Sequence, residues 1–195
     1  MNPLGSPVAG RTLVPSALDP CPLLVRGHRG PTSTSGGSMG LDVTAYETLT
    51  PMPSAPKEGS WEEDRAVHVS NHDYPGRELP LKEGWYLPCG DKFGFRAGSY
   101  GGYNAWRNSL AVMAGYGSDK AAWEKDPSEG PFIELINFSD CEGFLGPDVC
   151  KKLHADFLEW DSRAREGLDE WEYRLYTKWT MAASLGSAGG GIDFH

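Results

Sequence analysis

Ser139-Asp140-Cys141-Glu142 sets a hydroxyl, two carboxylates and a thiol side by side. An apolar run, Phe132 to Phe138, precedes these residues and Gly146-Pro147 follows them. Polar groups between a core-forming run and a helix start belong at the lip of a core. Two active chemistries fit. Cys141 as a nucleophile needs a neighbouring base or cation, and His154 is the candidate base. Alternatively, Asp140, Glu142, His154, Asp156, Asp193 and His195 supply oxygen and imidazole donors of the kind that hold metals. Their spacing matches neither H-E-x-x-H nor an EF-hand loop, so no residue is assigned to a metal. A structural reading competes with both. In it Ser139 and Asp140 cap a turn, Cys141 packs as a small hydrophobe, and His154 is a half-buried, hydrogen-bonded histidine.

A second stretch, Arg96 to Arg107, suits binding better than catalysis. Glycines at 98, 101 and 102 let backbone amides approach a ligand, and the helix they precede favours an anion at its start. Arg96 and Arg107 add charge, Ser99 and Asn104 add polar contacts, and Tyr100, Tyr103 and Trp106 offer stacking faces. The stretch is neither a Walker A loop nor G-x-G-x-x-G. Its structural reading is a strand-to-helix turn whose arginines pair with Asp140 or Glu142.

The elements that must position these groups follow from composition and periodicity. The chain has 195 residues and a net charge of -9. That acidity disfavours nucleic acid and anionic membranes as partners, and no apolar run is long enough to span a bilayer. Residues 1–38 hold six prolines, six glycines and no aromatic residue. Such a segment buries too little to offset chain entropy, so it is expected to be a disordered N-terminal extension. Met39 is the expected natural start, and 39–195 the single folded domain. That part carries 15 of the 18 basic and 26 of the 27 acidic side chains, about -11. The prolines interrupt any apolar leader. No C-x-x-C pair occurs, so the cysteines read as reduced thiols and the protein as cytoplasmic.

Leu41, Val43 and Ala45 alternate with polar residues, as do Val67 and Val69, and each set predicts a strand. Trp85-Tyr86-Leu87 and Phe93-Gly94-Phe95-Arg96 flank a Gly-Asp pair and predict a hairpin. Tyr103, Trp106, Leu110 and Met113 fall at helical spacing, ended by Gly115 and Gly117. Pro147 opens a second helix that Gly167 closes. A third runs from Leu168 to Leu185, with Leu168, Trp171, Leu175, Trp179 and Ala182 inward. The tail after it is expected to fray unless Phe194 anchors it, in which case His195 reaches the polar site. Strands first and helices after predict an α+β fold: a small antiparallel sheet of about four strands packed by about three C-terminal helices.

Four strings, Met39-Gly-Leu-Asp-Val-Thr-Ala-Tyr46, Phe95-Arg-Ala-Gly-Ser-Tyr-Gly-Gly-Tyr-Asn-Ala-Trp-Arg107, Leu135-Ile-Asn-Phe-Ser-Asp-Cys-Glu-Gly143 and Asp193-Phe-His195, resemble a family of uncharacterised bacterial and phage proteins. The resemblance spans roughly Met39 to His195 and implies that Met39 opens the shared unit. It implies no activity and no cofactor.

Three functions therefore stand at this level. The first is a small-ligand binding protein for an anionic or nucleotide-like molecule. Its pocket has Arg96, Ser99, Tyr100, Asn104 and Arg107 on one wall and Asp140, Cys141 and Glu142 on the other. The second is a hydrolase-type enzyme using Cys141 and His154, or a carboxylate/histidine metal site. The third is an acidic interaction or inhibitor module for a basic protein.

Overall fold

β1 (Gly40–Pro51) runs antiparallel to β3 (Gly84–Ser99) along nearly its whole length, Gly40 opposite Ser99 and Pro51 opposite Tyr86. The computed structural model of the chain describes residues 40–71, 73–124 and 130–195. The expectations for residues 1–38 and for Met39 lie outside them. The alternation in β1 holds: Leu41, Val43 and Ala45 are buried, with polar neighbours between them less so. β3 corrects the expected hairpin. The Gly-Asp pair does not turn the chain; one strand runs through it with a bulge. Between Tyr46 opposite Lys92 and Thr48 opposite Cys89, β3 spends one residue more than β1. Gly90 takes φ 79° there, and a side chain at that position would strike Glu47, whose Oε2 accepts from the Asp91 N–H at 2.8 Å. A Gly-Asp pair suits a bulge as well as a turn, and the long pairing with β1 selects the bulge.

β2 (Val67–Val69) pairs with β3 on one side, and the far side of β1 receives β5 (Gly191–Phe194) and then β4 (Gly143–Leu145). The sheet is wholly antiparallel, in the order β2-β3-β1-β5-β4. Five helices accompany it among the described residues: α1 (Tyr100–Met113), α2 (Asp119–Trp123), α3 (Ile133–Ile136), α4 (Pro147–Gly167) and α5 (Glu170–Gly186). The class is α+β, with one more strand and two short helices beyond the expected set. The order differs too, because the last element is a strand and α1 lies between β3 and β4. The tail does not fray. Ile192 and Phe194 are buried, so Phe194 is the anchor, and the chain end is tied between β1 and β4.

One face of the sheet packs under the helices. Leu41, Val43, Ala45, Leu145, Ile192 and Phe194 meet a core contributed by α1, α3, α4 and α5. Tyr103, Trp106 and Trp179 stack at its centre, with ring centroids 5.8–6.0 Å apart. Helical periodicity places the α1 stripe, with Trp106 and Leu110 fully buried. In α5 the same logic fails at Trp171, which is 44% exposed. Asp169 and Glu172 close a capping box that starts α5 one residue before Trp171, so the inward stripe begins at Leu175. On the other face a smaller cluster forms from Leu49, Val67, Val69, Tyr86 and Phe144.

Cys150 is buried and Cys141 exposed, both as free thiols. Cys89 is disulfide-bonded, which corrects the expectation of reduced thiols throughout. No helix among the described residues is long and apolar enough to cross a membrane.

Candidate functional site

The segment between α3 and β4 is held by two buried arginines, Arg77, which donates to the Asn137 carbonyl at 3.4 Å, and Arg107. Arg107, in the middle of α1, is only 4% exposed. Its guanidinium lies 4.9 Å from the centre of the Tyr103 ring. It donates to the Ile136 carbonyl at 3.3 Å and to the Phe138 carbonyl, the last carbonyls before Ser139. It also donates to Asn104 Oδ1, while Asn104 Nδ2 donates to Asp140 Oδ2 at 2.8 Å. Asp140 lies 4.0 Å from the Arg107 guanidinium. Asn104, three residues before Arg107 on the same helix face, thus couples the arginine to the carboxylate.

Above that layer the chain turns sharply. Ser139 Oγ accepts from the Cys141 N–H at 3.2 Å and the Glu142 N–H at 3.0 Å. This is the turn-capping role expected of a serine before a polar run. Gly143 then takes φ 121°, and a β-carbon there would lie 2.8 Å from the Phe138 ring. The turn leaves the Cys141 and Glu142 side chains exposed while Asn104 ties Asp140 down.

Cys141 and Glu142 open onto a cavity of about 510 Å³. Asp140 and Ser139 belong to its floor, Asp193 of β5 to its back, and His68 and Asp73 to its rim. Asp193 is directed here by strand alternation: Ile192 and Phe194 enter the helical core, so Asp193 faces the opposite side, opposite Thr44 and Phe144. Burial pushes its carboxyl up to about 7. Beside it Tyr46 is raised to about 12, chiefly by burial and secondly by the Asp193 charge. Asn71 frames the cavity. Its side chain acts as a one-residue strand on the open edge of β4, accepting from the Phe144 N–H at 2.7 Å and donating to the Phe144 carbonyl at 2.6 Å.

The other expected site residues lie apart from this cavity. Arg96 bonds Asp42 at 2.9 Å and lines a separate groove with Trp171, Arg174 and Lys178. Ser99 is the N-cap of α1, accepting from the Gly102 N–H at 3.1 Å, so Gly101 and Gly102 form the first helical turn rather than a ligand loop. Tyr100, the first residue of α1, packs half-buried against the helical core. Arg107 is sealed under the 137–143 segment. The two-walled pocket therefore does not form as expected. Its walls meet at Asn104, Arg107 and Asp140, but the meeting is a buried tie with no open space between.

His154 lines a third groove, with Glu47 and α5, and does not share a cavity with Cys141. Ser139 Oγ lies 3.6 Å from the Cys141 thiol. Of the donors proposed for a metal, Asp140, Glu142 and Asp193 share the cavity, while His154, Asp156 and His195 lie elsewhere. Asp156 accepts from Lys152 at 2.8 Å and from the Phe132 N–H at 2.8 Å. His195 meets Thr44 Oγ1 at 3.0 Å. Among the described residues no three His, Cys, Asp or Glu side chains converge as a metal site.

His68, Asn71 and Asp73 are among the cavity residues that the sequence did not assign to a site, and Asp193 entered only as a candidate metal donor. For Asp193 a signal existed: Ile192, Asp193, Phe194 and His195 alternate apolar and polar, the mark of a half-buried strand. For Asn71 and Asp73 none did, since their placement depends on a loop docking across 73 residues of sequence onto Phe144. No family model matches the chain, and neither the curated proteins nor the solved structures contain a match to it.

Proposed function

We propose that this chain is an acidic interaction module whose cavity receives a basic side chain, the ammonium or guanidinium group of a partner protein. One observation carries the reading. Asp73, Asp140, Glu142 and Asp193 line the cavity, and among the described residues no lysine or arginine does. The Arg107 guanidinium, which neutralises Asp140 in part, contributes from behind the wall. A cavity so lined repels anions and attracts a cation, and carboxylates there offer bidentate acceptance to a guanidinium. The net charge of -9 extends the same field over the chain and favours fast encounter with a basic surface. Neither the anionic small ligand nor the cysteine nucleophile fits this cavity as well. No cation faces an anion in it, and the expected base, His154, lines another groove.

The test is calorimetric titration of the full chain with an arginine- and lysine-rich peptide at two salt concentrations. Binding is expected, weakening as salt rises. Glu142→Gln and Asp193→Asn should each weaken it by about fivefold or more. Binding should also tighten by about tenfold between pH 6 and 8, because Asp193, raised to about 7 by burial, must ionise to meet the cation. Salt-insensitive binding, or affinity unchanged from the parent chain in both variants, overturns the proposal.

A further inference from the structure

A second surface of opposite sign lies at the junction of β3 and α5. Arg96, at the end of β3, lines a groove of about 200 Å³ with Trp171, Arg174 and Lys178. The three α5 residues fall at i, i+3 and i+7, one stripe of the helix. Among the described residues no acidic residue lines the groove, although the chain as a whole carries nine more acidic than basic side chains. Arg174 and Lys178, four apart on the helix, are a like-charge pair that opposes helix formation. Their own partners are weak. Arg174 reaches Glu170 at 3.7 Å with both side chains exposed. Lys178 lies 5.9 Å from the centre of the Phe95 ring. Exposed pairs of this kind are readily exchanged for a more highly charged partner. Trp171, the aromatic residue that the capping box displaces from the core, presents its ring at this groove.

We propose that this groove binds the phosphate group of a small phosphorylated molecule whose planar ring stacks on Trp171, a ligand of the nucleoside monophosphate class. The volume of about 200 Å³ encloses a phosphate and leaves the organic part to lie across the exposed indole. Two guanidiniums and an ammonium match a dianionic phosphate in charge, and the guanidiniums match it in fork geometry. An anion there also relieves the repulsion between Arg174 and Lys178. The site is independent of the acidic cavity and of the function proposed for it.

The experiment is a two-dimensional NMR titration of the full chain with inorganic phosphate, with adenosine monophosphate, and with sodium chloride at matched ionic strength. Phosphate is expected to move the amides of residues 96–98 and 171–178, and sodium chloride is not. Adenosine monophosphate should bind about fivefold or more tighter than phosphate, with Trp171→Ala abolishing that gain. Arg174→Gln combined with Lys178→Gln, both at exposed positions, should weaken phosphate by about tenfold while the remaining spectrum stays that of the folded chain. The proposal is overturned by shifts that sodium chloride reproduces, by no response to about 20 mM phosphate, or by unchanged affinity in the double variant. It is equally overturned, in its ring-stacking part, by adenosine monophosphate binding no tighter than phosphate.

Discussion

Asp193 is the residue whose environment is most at odds with its chemistry. It is a carboxyl raised from an ordinary value near 4 to about 7 by burial. The folded state therefore holds its proton over a pH range in which the unfolded chain has released it. Stability from this group falls as pH rises from about 4 to about 7, and above 7 the cost is fully present, at most about 4 kcal/mol. Asp193→Asn should accordingly flatten the stability profile between pH 4 and 7 and raise stability at pH 8. Denaturant unfolding at pH 5 and pH 8 measures both; a variant that loses as much stability at pH 8 as at pH 5 would rule this out. Cysteine chemistry separates by exposure at the same scale. Cys141 should be alkylated by iodoacetamide in the native protein. Cys150 is buried, with its thiol pushed up by burial and donating to the Leu145 carbonyl at 3.4 Å, and should react only after unfolding. Mass-spectrometric mapping of the label distinguishes the two sites.

At the scale of elements, β4 and β5 hold the cavity together. Phe194 is 2% exposed, with its ring centroid 4.9 Å from that of Phe138 and 5.4 Å from Trp179. Phe194→Ala should cost about 3–5 kcal/mol, the usual loss for a fully buried aromatic. Asn71→Ala should cost about 1–3 kcal/mol, since it leaves both backbone groups of Phe144 without their side-chain partner at the sheet edge. Chemical denaturation gives each value. The second carries a local signature as well: the Phe144 amide should exchange with solvent much faster in the variant, while amides in α4 and α5 keep their protection.

At the scale of the whole molecule, the chain closes on itself. β1 begins the described structure and β5 ends it, yet Val43 lies opposite Phe194 and Asp42 exchanges both backbone hydrogen bonds with His195, at 2.9 and 3.0 Å. β5 sits inside the sheet, between β1 and β4, so its loss would strip β4 of its partner and open the helical core. Deleting residues 191–195 should abolish the cooperative thermal transition followed by circular dichroism, not merely lower its midpoint. Charge is also segregated at this scale. The acidic cavity lies on the β4–β5 side, and the cationic groove lies where β3 meets α5.

Local physics was enough for much of this protein. Period-two alternation located β1 and β2, helical spacing located the stripe of α1, and Pro147 and Gly167 bounded α4, because each signal lies within a few residues of its effect. The hydroxyl of Ser139 was legible as a turn cap for the same reason. Tertiary structure decided what depends on distant partners. The Gly-Asp pair at 90–91 became a bulge because β1 is long enough to pair past it. The tail became a strand because Val43 and Leu145 wait on either side of it. Arg96 and Arg107, eleven residues apart, parted because one lies on a strand end in solvent and the other on a helix face under the 137–143 segment. The sequence by itself therefore determined that Asp140, Cys141 and Glu142 stand at the lip of a core. Only the fold decided that Arg107 ties down Asp140 from beneath while Asp193, Asp73 and His68, and neither Arg96 nor His154, share the cavity, since long-range pairing, not spacing, sets which side chains meet.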